Sequence, residues 1–403
     1  MVKLGPILLS CGFLLLISGV TFAFGATMGG AGAIQNVRDV KEALDRFHSG
    51  DADGALALLT EVLGTNALSD DSSAIVHYDR GMVYLSKGEK DKAIDDFTTA
   101  IQKRRRYQAP YIMLAQTYFA MGDAGKAIAE LQAAIEIDPG SANAHLNLAN
   151  AYHHQGDDNR ALVEYGEAIR LESSPYAYEG RGSVYLLTGH ADKAVADLTA
   201  AIAMKPDYRE AYVNRGMAYD NLGDGKRAIA DLDTALKLDS ADLDARIDRA
   251  NVHADLGEPD LAIADYDIAI RARPLDTVLL RSRGDAYLAE SAYAKAVADY
   301  DGVLARTPND PVAHLDRGAA FYRLHDYERA IADYTAALKL TPKDARPYDD
   351  LGGAYGAEGK LDAAIAAYDE ALRLQPDYAA ARRDREGALK AKATGQNIVV
   401  DAQ

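Results

Sequence analysis

The chain has no tryptophan and a single cysteine among 403 residues. One thiol, Cys11, excludes a disulfide framework and any zinc site built from several thiolates. Positive charge is also scarce. Lys+Arg number 44 against 61 Asp+Glu, a formal net charge of −17. A nucleic-acid binder needs cations to neutralise phosphates, so this balance argues against nucleic acid as a partner. No glycine-rich phosphate loop, nucleophile elbow or His-Glu metal motif occurs, and no cofactor or metal is expected. Disorder of the whole chain is excluded by a composition of 48% hydrophobic and 26% charged residues.

What is present begins with one apolar run, Leu4 to Phe24, behind Met1-Val2-Lys3. At ~1.5 Å per residue the run just spans a ~30 Å bilayer core. Residues 1–25 read as a secretory signal peptide, with Ala23-Phe24-Gly25 as a small-x-small cleavage site, or as an uncleaved membrane anchor. Either reading places the rest outside the cytoplasm: exported, periplasmic or secreted, or anchored through residues 4–24. Residues 26–35, rich in Gly and Ala, read as a flexible linker.

The rest is one unit copied at a period of 34. A small residue recurs at Gly81, Ala115, Ala149, Gly182, Gly216, Ala250, Gly284, Gly318 and Gly352. Three residues on stands an aromatic ring, from Tyr84 to Tyr355, and twelve on stands Ala, from Ala93 to Ala364. Sixteen on comes Phe97, Leu131, Tyr165, Leu198, Leu232, Tyr266, Tyr300, Tyr334 or Tyr368. Glycine falls between the halves except at Ser291 and His325, and Pro closes many units. This is a helical hairpin. Small residues let two helices approach, rings fill the space beside them, and the intervening glycine supplies a turn with positive φ.

The pattern resembles the tetratricopeptide repeat family over nine units: residues 74–107, 108–141, 142–174, 175–208, 209–242, 243–276, 277–310, 311–344 and 345–378. The early Trp of that family is replaced by Tyr111, Tyr178, Tyr212 and Tyr348, or by His77, His145 and His314. Residues 36–73 read as a degenerate unit, 379–393 as a capping helix and 394–403 as a disordered tail. The resemblance implies an all-α solenoid of helical hairpins, coiled as a right-handed superhelix.

One correlation lies beyond the family pattern. Arg80, Arg181, Arg215, Arg249, Arg283 and Arg317 precede the small residue, and sixteen residues after each stands Asp96, Asp197, Asp231, Asp265, Asp299 or Asp333. Units with Leu in place of Arg have Glu130, Glu164 or Ala367 there. The spacing predicts a partly buried ion pair between the two helices of one hairpin or of adjacent ones.

The resemblance also implies that first helices line a concave face holding an extended peptide or a partner helix. Expected there are Asn143, Asn147, Asn150, His153, Glu179, Asn214, Asp220, Asp244, Asn251, Asp285, Tyr322 and Asp349. Asn147 and Asn214 resemble the asparagine ladder with which some family members hold peptide backbones. Asp79, Met113, Gly180, Asp248, Ser282, Asp316 and Asp350 interrupt it. The acidic later repeats favour a cationic or amphipathic protein or peptide. The function expected is a non-catalytic protein-binding scaffold or adaptor of the cell envelope. A substrate-presenting subunit of a separate enzyme and a self-assembling structural module are the alternatives.

Overall fold

The computed structural model describes residues 31–65 and 68–394. Residues 1–30 and 395–403 lie outside the described residues, and with them the export segment, the start of the linker and nearly all of the tail. The described residues form 21 helices and no strand. They divide into two compact units after Pro206.

The first unit holds five hairpins, each a first and a second helix. These are α1 (Ala31–His48) with α2 (Ala52–Gly64), α3 (Asp70–Ser86) with α4 (Lys90–Lys103), and α5 (Gln108–Ala120) with α6 (Ala124–Ile137). They continue as α7 (Ala142–Gln155) with α8 (Asp158–Leu171), and α9 (Pro175–Leu187) with α10 (Ala191–Met204). The second unit holds α11 (Arg209–Asn221) with α12 (Gly225–Leu238), and α13 (Leu243–Asp255) with α14 (Pro259–Ala272). It goes on with α15 (Thr277–Ala289) and α16 (Tyr293–Leu304), α17 (Pro311–Arg323) and α18 (Tyr327–Leu340), and α19 (Arg346–Ala357) and α20 (Leu361–Leu374). A last helix, α21 (Ala379–Thr394), ends it.

The hairpin of α17 and α18 shows why the sequence folds this way. Asp310 caps α17 by accepting from the Val312 and Ala313 amides, and Pro311 occupies the first turn, where its missing N–H costs nothing. The turn passes through His325 at φ 60°. Asp326 then caps α18 by accepting from the Arg329 amide. Ala330 is fully buried where the helices cross. The Tyr334 ring lies over Gly318 so closely that a Cβ there would sit 2.7 Å from it. Deleting that Cβ is what admits the ring.

Every hairpin from α3 onward in which Arg precedes the small residue carries the same fork. Arg80, Arg181, Arg215, Arg249, Arg283 and Arg317 each give Nε and Nη2 to the two oxygens of Asp96, Asp197, Asp231, Asp265, Asp299 and Asp333, at 2.6–2.8 Å. All six carboxylates are buried. In the second unit the remaining Nη1 reaches back to the preceding hairpin: Arg249 to Asp233, Arg283 to Asp267 and Arg317 to Asp301, at 2.6–2.7 Å. Each of these guanidiniums therefore closes its own hairpin and ties it to its neighbour.

Rings complete the arrangement. Seven second helices open with a Lys or Arg over the recurring aromatic: Lys92, Lys126, Arg160, Lys193, Arg227, Lys295 and Arg329, at 4.3–5.3 Å from the ring centre. Such contacts contribute about 0.5–1 kcal/mol each at exposed positions. The position without Trp is used for bridging. The His314 ring lies 2.9 Å from Asp333 through Nδ1 and 3.0 Å from the Pro308 carbonyl through Nε2. His145 likewise spans Glu164 and Pro139, and Arg246 spans Asp265 and Ser240. His77 touches Asp96 at 2.7 Å.

Three boundaries differ from the sequence reading. First, α1 starts at Ala31, so residues 31–35 are helical and not linker; Ala31 and Ala33 favour helix enough to carry Gly32. With α2 it makes a true hairpin, in which Val40, Ala43, Ala55, Leu59 and Val62 are buried together. Second, α3 starts at Asp70, four residues before the unit boundary expected at 74, because Ser69 caps it by accepting from the Ser72 amide. Third, Thr394 closes α21 and does not open the tail.

The helix α21 is the first helix of a further repeat. Arg382 donates to the Pro376 carbonyl at 2.6 Å and Arg385 pairs with Asp369 on α20, as His314 meets the Pro308 carbonyl and Arg317 meets Asp301 two units earlier. Glu386 takes the position of the small residue.

The two turns without glycine carry strain. Ser291 and His325 sit at φ 62° and 60°, where a Cβ is disfavoured. Ser291→Gly and His325→Gly should each stabilise the second unit by about 0.5–1 kcal/mol, after the entropy that glycine adds to the unfolded chain. Urea unfolding measures this; a loss of stability in both variants would contradict it.

Candidate functional site: the first-helix face

Within each unit, successive first helices approach one another: α5 with α7 and α7 with α9, then α11 with α13, α15 with α17 and α17 with α19. The first-helix side is therefore the inner, tighter side of each stack. It lies away from the forks, and its chemistry is set by two positions per helix.

The first follows the small residue. Large rings on the second helices pass over the small residues and bring a phenol to this face. Tyr165 donates to Asn150 at 2.5 Å, Tyr266 to Asn251 at 2.6 Å and Tyr300 to Asp285 at 2.6 Å. Three expected groove residues are thus fixed from behind, their other polar atoms left toward the inner face. Sequence reasoning saw these tyrosines as space-fillers. The missed signal was their co-occurrence with an acceptor fifteen residues earlier.

The second is the ladder position, where Asp79, Asp248, Asp316 and Asp350 stand. Burial pushes the carboxyls of Asp79 and Asp248 up to about 7, with Asp244, Asp242 and Asp220 adding to the effect at Asp248. Asp316 also rises to about 7, through burial and then Asp285, against opposing Arg281. Asp350 also rises to about 7, chiefly by burial of its carboxyl and then through Asp349 beside it, although part of the residue reaches solvent. Asp349 itself rises to about 6, chiefly by burial, and its Oδ1 is buried without a hydrogen bond.

The other expected residues divide. Asn147 donates to Asn143 and accepts from Gln116 at 3.2 Å, an amide chain across α5 and α7. Asn214 is half-buried on α11. Asp220 is raised by burial and by Asp255. Asp244 is largely exposed and accepts from Arg273 at 2.8 Å. Tyr322 stacks against Tyr327 at 5.5 Å. Two depart from the reading of an open groove. Glu179 is only 3% exposed, so it is part of the interior. His153 is held across the hairpin turn by Asp158 at 2.7 Å, and its Nε2 is buried. His154 turns away to meet the Phe119 ring edge at 4.8 Å. Among the described residues no group of three or more metal-binding side chains converges.

Asp79 differs from the rest. It is 6% exposed, its Oδ2 has no partner, and it sits near the phenols of Tyr78 and Tyr107, which burial raises first and Asp79 raises further. Its folded value lies above the unfolded one of 3.8, so its contribution is whole below pH 3.8 and is lost as pH rises to about 7. Asp79→Asn should match the parent near pH 4 and exceed it in stability at pH 8, by at most about 4 kcal/mol. Urea unfolding at both values checks this; equal stability at pH 8 would refute it.

Comparison with known proteins agrees with this architecture. Tetratricopeptide repeat profiles match residues 40–109, 180–245, 247–311, 304–345 and 315–379, and a further one matches 142–175. A TPR repeat profile matches 115–156. No curated protein matches the sequence. Among solved structures, one similar chain is a tetratricopeptide repeat protein from Parabacteroides merdae, 24% identical, covering 60% of this chain and 97% of its own, with a TM-score of 0.45. Another is YrrB, described as a TPR protein with an unusual peptide-binding site, 23% identical over 45% of this chain and 94% of its own, TM-score 0.40. A third is PilW, a type IV pilus biogenesis factor, 15% identical over 50% of this chain and 94% of its own, TM-score 0.47. With repeat profiles spread over most of its length and hairpins of matching anatomy, the chain belongs to the tetratricopeptide repeat family.

Proposed function

We propose that this protein is a non-catalytic scaffold of the cell envelope that binds a basic segment of a partner protein on the first-helix face of its second unit. The observation that carries the reading is the row of carboxylates there, Asp248, Asp285, Asp316, Asp349 and Asp350, none of them joined by a salt bridge within 4 Å to a cation among the described residues. The six forks differ: each matches a buried Asp with an Arg. Leaving negative charge crowded on one face costs stability, and a cationic partner relieves that cost while being steered toward it. Placement in the envelope rests on residues 1–25, read as a signal peptide or anchor.

The test uses fluorescein-labelled nona-arginine and fluorescence anisotropy. Replacing Asp248, Asp316 and Asp350 together by Asn should weaken binding by about tenfold or more, at about 1 kcal/mol for each pair screened by water. Lowering the pH from 8 to 5.5 should weaken the parent, as these carboxyls take up protons around 7, and should change the triple variant far less. Unchanged binding in a folded triple variant would overturn the reading. Protease accessibility of the repeats in intact spheroplasts tests the envelope location; protection from added protease would contradict it.

A further inference from the structure

Three arginines stand together in one loop of the first unit, Arg104-Arg105-Arg106 between α4 and α5, directly after Lys103. No other loop from one hairpin to the next carries more than one cation. Packing accounts for only the first half of this run. Lys103 meets Asp70 at 2.7 Å and Arg104 meets Asp71 at 3.6 Å, both at the start of α3. Arg104 also lies over the Tyr107 ring at 5.4 Å. Arg105 and Arg106 are exposed and make no ion pair among the described residues. Their backbone is nonetheless fixed. The Tyr107 amide donates to the Arg104 carbonyl at 3.0 Å, and the Tyr111 hydroxyl donates to the Arg105 carbonyl at 3.2 Å. Two guanidiniums are therefore held in solvent on a formed turn.

The loop lies on the edge of the stack at which α1 starts. Asn36, in the first turns of α1, donates to Thr65 at the end of α2 at 3.5 Å. Lys103, at the end of α4, meets the first residue of α3. The start of α1 and the arginine loop are thus at one end of these helices, two helix spacings or ~20 Å apart. Residues 25–30 join α1 to the apolar run and span at most ~22 Å. An anchor in residues 4–24 would keep this edge within reach of the bilayer surface.

We propose that Arg105 and Arg106 rest on the anionic headgroups of the bilayer that holds residues 4–24, so that the first hairpins stand on the membrane by this edge. The inference rests on the envelope reading above, with residues 1–25 taken as an anchor, and is independent of the basic partner. Charge complementarity selects the occupant. The chain carries a net charge of −17, so a negative surface repels it except where cations are gathered.

The test uses the full chain with Cys11→Ala and Gln102→Cys, labelled with bimane at position 102, an exposed site in the last turn of α4. It is reconstituted into vesicles that contain lipid with a nitroxide on its headgroup. Quenching should be strong in mixed phosphatidylglycerol and phosphatidylcholine vesicles and weak in phosphatidylcholine alone. Arg105→Gln with Arg106→Gln should lower the ratio of docked to free loop by about thirtyfold, the value for two cations leaving an anionic surface, while helical circular dichroism stays that of the parent. Salt at ~1 M should act in the same direction, because it shortens the screening length to ~3 Å. Equal quenching in the two kinds of vesicle, or lipid-dependent quenching that survives in the double variant, would overturn this inference and leave the anchor reading in place. Failure of the parent to float with phosphatidylcholine vesicles would overturn the anchor reading and this inference with it.

Discussion

The structure depends on a guanidinium fork held by a buried carboxylate. A helical hairpin of two 13- or 14-residue helices is too short to be stable alone, so its two halves must be joined and the joined pair stacked. Arg283 does both. Its Nε and Nη2 close α15 onto α16 through Asp299, and its Nη1 reaches Asp267 on α14. The planar fork matters here, because a lysine ammonium could not present three donors in those fixed directions. The Tyr287 ring lies against the same guanidinium at 5.6 Å, with Lys295 over it at 5.1 Å. Charge and ring thus alternate along the seam between hairpins.

The same economy explains the inner face. Where an acid supports the stack, an Arg meets it. Where an acid faces inward, no fork is supplied, and burial drives its carboxyl toward neutrality. Asp248 and Asp316 weaken the folded state at high pH and are the groups that a cation would satisfy. This separation of roles turns an overall charge of −17 into a local feature. Part of the acid is absorbed in the forks, and Asp248, Asp285, Asp316, Asp349 and Asp350 gather on the first-helix face of the second unit.

The repeat, its hairpin form and the family were legible because small, aromatic and Ala positions recur in one register over nine units. The Arg–Asp spacing was legible for the same reason. The reach of Arg249, Arg283 and Arg317 to the preceding hairpin was equally present as Asp233, Asp267 and Asp301, two residues beyond the buried Asp. It is harder to read because an Asp sixteen residues before the Arg occurs in only three of the six Arg units, whereas the Asp sixteen residues after it occurs in all six. The first hairpin was only partly legible, since α1 lacks the small residue and Tyr that mark the others. The groove was the least legible. Facing a helix's inner side does not tell whether a residue is open, as the burial of Glu179 shows. Nor does a tyrosine in a core position announce that its hydroxyl emerges on the opposite face.

The central claim is that the Arg–Asp fork holds each hairpin together. A double-mutant cycle on Arg283 and Asp299, with Met and Leu as replacements and urea unfolding as the readout, tests it most directly. Each single substitution should destabilise the protein by about 3 kcal/mol, because it leaves a buried charge unpaired. The double variant should be destabilised by clearly less than their sum. Single losses under about 1 kcal/mol that add in the double variant would show that the fork is a surface contact and that packing alone carries the fold.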